Sequence, residues 1–90
     1  MSATLVVRHR VRDYTVWRAV YDDLEPLRVR YGCTAQRVLQ LPDDTNDVLV
    51  THDFDSVEQA SAFAHSDELR AGMARAGVDA RPTVEVFTAA

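Results

Sequence analysis

From Leu5 to Arg12 the chain alternates, with Leu5, Val7, His9 and Val11 on one side and Val6, Arg8, Arg10 and Arg12 on the other. A period of two predicts a strand with one apolar face. Asp13 then stands as an N-cap ahead of Val16, Trp17, Val20, Tyr21, Leu24, Leu27 and Tyr31, which recur at the spacing of a helix's apolar stripe. Pro26 has no N–H to offer the carbonyl of Asp22, so the helix is expected to kink or restart between Asp22 and Leu27, with Asp22 or Asp23 capping the second segment. Arg28 and Arg30 fall in the last turn, where cations suit the helix dipole, and Gly32 follows as a residue able to take a left-handed conformation.

Thr34 to Leu41 carries a weaker alternation, with Ala35, Leu39 and Leu41 on one side and Thr34, Gln36 and Gln40 on the other, and predicts an edge strand. Pro42 to Asn46 is a turn cluster, after which Val48, Val50, His52 and Phe54 alternate with Leu49, Thr51 and Asp53, so the two strands make a hairpin. Ser56 with Gln59 forms a capping box opening a helix through Val57, Ala60, Phe63 and Ala64. Ser66 with Asp67 and Glu68 is a second helix start, leading Leu69, Met73 and Ala76 to Gly77, so a break near His65 is expected. Pro82 precedes a short closing strand, Thr83 to Phe87.

The order strand, helix, two strands, helix, strand predicts an α+β, ferredoxin-like βαββαβ fold. Right-handed crossovers place both helices on one face of a four-stranded antiparallel sheet, with residues 1–90 as one domain. A chain of 90 residues buries a modest share of its surface, and a partner subunit is the usual remedy. The single Cys33 excludes an internal disulfide, follows a helix-ending glycine with no activating neighbour, and fits a reducing cytoplasm. Met1 to Thr4 enter a strand pattern without the marks of a secretion leader, and no apolar run approaches a membrane span, so no membrane is expected as a partner. A net charge of −4 with dispersed arginines opposes binding to phosphate backbones, so nucleic acid is not expected either.

Several stretches together resemble small dimeric α+β barrel proteins related to antibiotic-biosynthesis monooxygenases and small polyketide cyclases. They are His9-Arg10-Val11-Arg12 running into Asp13-Tyr14 and Trp17, the pair Tyr21-Asp22, Phe54-Asp55-Ser56, Phe63-Ala64-His65, and Ser66, Glu68 and Leu69 with Met73 and Ala76-Gly77-Val78. The resemblance spans nearly the whole chain. It implies a homodimer in which the bare sheet faces of two subunits pack together as a barrel interior, and a small-molecule enzyme that works on an apolar, aromatic substrate without a cofactor. The heme-degrading branch typically carries Asn on its first strand and Trp near the end of its third, where this chain has His9 and Phe54, which speaks against heme degradation. The anthrone-oxidising branch also uses Asn and Trp there. His65 resembles a helix histidine of the monooxygenase branch, and the residues alone read it as a surface or helix-break residue.

The candidate chemistry centres on His9 and His52, which fall on the apolar faces of two strands expected to be neighbours. In an apolar setting imidazoles stay neutral and can act as general bases near pH 7; the competing reading is a pair of packed, hydrogen-bonded core side chains. Trp17 and Tyr21, one helical turn apart, with Phe54, Phe63 and Met73, either form ordinary core or line a cleft for a flat ligand, and Phe87 is a further candidate neighbour. A metal needs more ligands than two histidines supply. Two functions stay open: a cofactor-free oxygenase or cyclase with catalytic His9 and His52, and a non-catalytic homodimeric binding or assembly module. A cavity reaching both histidines separates them.

Overall fold

The computed structural model describes residues 2–78 and 81–90. Its elements are β1 (Ala3–Arg10), α1 (Tyr14–Asp23), α2 (Glu25–Arg30), β2 (Ala35–Leu41), β3 (Asp44–Phe54), α3 (Val57–Ala64), α4 (Asp67–Arg75) and β4 (Thr83–Thr88). The strands form one sheet in the order β2-β3-β1-β4, every neighbouring pair antiparallel. This is the expected α+β ferredoxin-like arrangement, with each helical crossover divided in two.

The helix breaks follow from local chemistry. Asp13 caps α1 by accepting from the backbone of Thr15 and Val16. Pro26 occupies the first turn of α2, where its missing N–H costs nothing. The expected capping by Asp22 or Asp23 is not what occurs: Leu24 is the hinge, with no side-chain cap, and its own N–H turns back to Val20 and Tyr21. In the second crossover Ser56 and Ser66 cap α3 and α4, and His65 ends α3. Gly32 and Gly77 close the two crossovers at φ 90 and 77, a region that L side chains rarely adopt.

Three expectations about the strands change. β3 begins at Asp44 rather than Val48, leaving only Pro42 and Asp43 to turn the hairpin. Its polar first residues stay in the ladder because Arg10 pairs with Asp44 and Arg8 grips Asp47 at 3.1 and 3.0 Å. β1 stops at Arg10, and Val11 makes only an isolated bridge to Val78. Phe87 pairs with Thr4, on the face away from the helices, while its neighbour Val86 pairs with Leu5 and faces inward. Phe87 is therefore half exposed and outside the core.

The helix-facing side of β1 and β3 supplies Ala3, Leu5, Val7, His9, Val48, Val50, His52 and Phe54, all buried. Two apolar clusters cover it. One gathers Leu5, Leu27, Phe54, Ala60 and Phe63, and the other Val11, Trp17, Tyr21, Val48, Val50 and Ala76. No helix among the described residues is long and apolar enough to cross a membrane.

Candidate functional site

The two clusters do not close completely on each other. Between them lies a cavity of about 40 Å³, lined by His9 and Val7 from β1, Trp17, Val20 and Tyr21 from α1, Arg28 from α2, Val50 and His52 from β3, Phe63 from α3, and Leu69, Gly72 and Met73 from α4, with Leu24 and Ala76. A water needs roughly 10–15 Å³ measured this way, so the space suits about three water-sized groups. α4 comes close because Gly72 has no side chain: a Cβ there would stand 2.6 Å from Leu24 Cδ1.

The strand register fixes where the imidazoles sit. His9 pairs with Val48 and His52 with Leu5, so they lie at opposite ends of the same inward stripe, on the order of 13 Å apart along the strands. A row of rings joins them. His9 meets Trp17 edge-on at 5.6 Å, Trp17 stacks on Tyr21 at 4.9 Å, and the Tyr21 hydroxyl lies 3.2 Å from His52 Nε2. Phe63 closes the far side of His52 at 5.5 Å.

Burial sets the protonation states. Loss of solvent pushes the His9 pKa down, opposed by Asp47. For His52, burial and then the Arg28 guanidinium push it down to about 4, against weaker opposing effects of Asp53 and the Leu5 backbone. Burial raises the Tyr21 pKa to about 12, so its hydroxyl stays protonated beside His52 Nε2. Both imidazoles are accordingly neutral at pH 7. Among the described residues neither nitrogen of His9 has a hydrogen-bond partner, and neither does His52 Nδ1, although the Leu5 backbone is near enough to act on the His52 pKa. A buried polar atom without a partner costs about 1–3 kcal/mol. Each such atom in a native fold calls for an explanation, in catalysis, in strain or in a bound water.

Arg28 is the residue that the sequence reading missed. It was expected as a dipole-matching cation at a helix end, yet it is 4% exposed. The break at Leu24 turns α2 so that Arg28 Nη1 donates to the Tyr21 carbonyl at 2.7 Å, and its guanidinium carbon lies 3.8 Å from the Tyr21 ring centroid. Its Nε is buried without a partner. The helical stripe Trp17, Tyr21, Leu24, Arg28, at steps of four, three and four, carried this signal. An unpaired buried cation costs several kcal/mol; a cation–π contact returns up to about 2 kcal/mol of it.

Of the sequence-chosen residues, His9, His52, Trp17, Tyr21, Phe63 and Met73 line the cavity. Phe54 does not: it lies two residues past His52 on the same face and packs on Phe63 at 5.7 Å in the adjoining cluster. His65 is exposed, with Nδ1 2.9 Å from the Ser61 carbonyl oxygen. Cys33 is half-buried, and burial raises its thiol pKa. No group of three His, Cys, Asp or Glu residues among the described residues is placed to hold a metal ion.

Solved structures share the fold over almost the entire chain. A candidate antibiotic biosynthesis monooxygenase from Bordetella bronchiseptica superposes with a TM-score of 0.83 at 14% identity, covering 99% of this chain and 97% of that one. The fold is that of the antibiotic-biosynthesis-monooxygenase-like proteins. SnoaB, a cofactor-independent oxygenase from Streptomyces nogalater, matches with a TM-score of 0.76 at 17% identity, covering 99% and 93%. A candidate antibiotic biosynthesis monooxygenase from Caulobacter crescentus matches with a TM-score of 0.76 at 17% identity, covering 99% and 90%. No family model matches the sequence, and no curated protein does.

Proposed function

We propose that the protein is a small-molecule enzyme of the antibiotic-biosynthesis-monooxygenase type, moving a proton from an apolar aromatic substrate without a cofactor. The observation that carries this reading is the cavity reaching both His9 and His52. The likeness to a cofactor-independent oxygenase supports it. His9, with both ring nitrogens uncommitted, is the general base. His52, tied to Tyr21, completes the polar floor, and Trp17, Tyr21, Phe63 and Met73 hold the substrate. Loss of an acidic C–H proton leaves a carbanion able to reduce O₂; for an aryl CH₂ the balance is CH₂ plus O₂ giving C=O plus H₂O. The cavity of about 40 Å³ takes only the reacting end of such a molecule, so admitting the ring requires lining side chains to part.

The test is exchange of the acidic C–H protons of anthrone in D₂O, followed by NMR under anaerobic conditions. Exchange catalysed by the wild type is expected to fall by about 10²-fold or more in His9→Ala, the usual worth of a general base, while His65→Ala keeps it. If wild-type exchange never exceeds that of buffer across a set of aromatic C–H acids, the protein is instead a non-catalytic homodimeric module, a reading that the small cavity favours.

The homodimer is part of the same proposal, as is action in the cytoplasm. The sheet face away from the helices carries Leu39, Leu41 and Phe87, each more than 40% exposed, together with Val6, Leu49 and Thr51. Of its charges, Arg8 pairs with Asp47 and Arg10 with Asp44, and Asp53 accepts from Thr4 at 2.9 Å, while Arg37 and Glu85 lie on the same face. The pairs already formed lower the electrostatic cost of covering this face. Sedimentation at micromolar concentration is expected to give twice 10.1 kDa. Phe87→Asp should return the protein to monomer with its helix content kept; a wild type that sediments as monomer throughout sinks the dimer.

A further inference from the structure

Among the residues lining the cavity, Arg28 is the only permanently charged group, and no Asp or Glu stands with it. Ion pairs elsewhere in the described residues use other arginines: Arg8, Arg10, Arg18, Arg30 and Arg70 each meet a carboxylate, and all five lie at the surface. Among the described residues Arg28 makes the bond from Nη1 to the Tyr21 carbonyl and the contact with the Tyr21 ring, which fix the guanidinium without neutralising it. Its buried Nε remains unpartnered. A guanidinium cannot shed its charge at any ordinary pH, and its planar fork matches a carboxylate better than any other common anion. The cavity volume of about 40 Å³ accommodates a group of carboxylate size. Tyr21 and His52 adjoin as neutral hydrogen-bonding groups, so nothing there repels a negative charge.

We infer that Arg28 is the anion-binding residue of this cavity and that the ligand carries a carboxylate, seated against the Arg28 guanidinium beside Tyr21 and His52. The inference rests on reading the cavity as a ligand site and adds the chemical class of what enters it: an organic acid, with its apolar body toward Trp17 and Met73. Arg28 is thereby a specificity residue, since a neutral analogue leaves its charge unmatched.

Trp17 is the only tryptophan and stacks on the ring that Arg28 covers, so its emission reports occupancy. Acetate, titrated at constant ionic strength, is expected to change Trp17 emission saturably, and acetamide, its neutral isostere, is not. Benzoate should bind more tightly than acetate and benzamide far more weakly than benzoate. Arg28→Met, which keeps the stem's packing, should weaken acetate and benzoate binding roughly tenfold or more, while Arg28→Lys retains part of it. Acetamide binding as well as acetate overturns the inference, as does undiminished acetate binding in a folded Arg28→Met. If Arg28→Met does not fold, the contrast between acetate and acetamide in the wild type decides. Carboxylate binding in a protein that exchanges no substrate proton supports the site and removes the enzyme. Proton exchange on neutral substrates with no carboxylate preference removes the site and keeps the enzyme.

Discussion

Acidification from pH 7 to pH 5 is expected to lower the folding free energy by about 2 kcal/mol through His52 alone, and by about 3 kcal/mol once pH 4 is reached. His52 is buried at 4% exposure, and its folded pKa lies at about 4, below the ordinary value of 6.5. Between those two values the unfolded chain binds a proton that the folded chain refuses, so the unfolded state gains as pH falls. The stability is complete above pH 6.5 and is lost as pH falls through the folded value. His9, depressed by the same burial, adds to the loss with the same sign. Asp47 is held below the ordinary carboxylate range by Arg8, so its pairing titrates at lower pH and leaves the window from 7 to 5 to the histidines. For a domain of this size 2 kcal/mol corresponds to a melting temperature lower by roughly 10 °C. Thermal or urea melts at pH 7 and pH 5 measure it. His52→Gln, which cannot titrate, should remove most of the difference and leave the part due to His9. Equal stability of the wild type at the two pH values would show that the imidazoles are hydrated in the folded state.

Much of this was legible in the sequence, and the parts that were not have identifiable causes. The alternation from Leu5 to Val11 and from Val48 to Phe54 fixed which side chains face the helices, because a strand shifted by one residue would expose its whole apolar set. Pro26, Ser56 and Ser66 marked the helix breaks and starts through backbone chemistry that tertiary packing does not override. In β4 the adjacent Val86 and Phe87 competed for the core, and the larger residue was the wrong choice. Glu85 shares the parity of Phe87 and pairs with Val6 on the open face, a cue that hydrophobicity alone conceals. Charge concealed Arg28 in the same way. Helix-end cations are normally solvated, and only its place on the stripe of Trp17, Tyr21 and Leu24 set it apart from Arg30, which reaches Glu68 at the surface. The cavity itself could not be read at all, since its volume is the residue of how two clusters meet, and Gly72, which admits α4 to that meeting, left no pattern that distinguishes close packing from a weak helix.

Replacement of Phe63 by alanine is expected to be the most damaging single truncation in the chain, costing about 3–5 kcal/mol. Phe63 is 1% exposed and stands where the two clusters meet, with ring contacts to Tyr31 at 5.7 Å, His52 at 5.5 Å and Phe54 at 5.7 Å. It also forms one wall of the cavity, so truncation joins new empty volume to space that already exists, and the surrounding helices are less able to collapse onto it. Domains of this kind hold about 5–15 kcal/mol in total, so the variant stands at the edge of folding. Phe87→Ala removes the same atoms from the open face, where the ring is 52% exposed, and should cost the monomer's fold far less while weakening self-association. Urea denaturation of the two variants, at a protein concentration low enough to keep both monomeric, separates these effects. A loss for Phe63→Ala no greater than that for Phe87→Ala would mean that Phe63 does not hold the clusters together. A large loss confined to Phe63→Ala, accompanied by a rise of the His52 pKa toward 6.5 in its NMR titration, would show that the same ring stabilises the fold and keeps water from the imidazole.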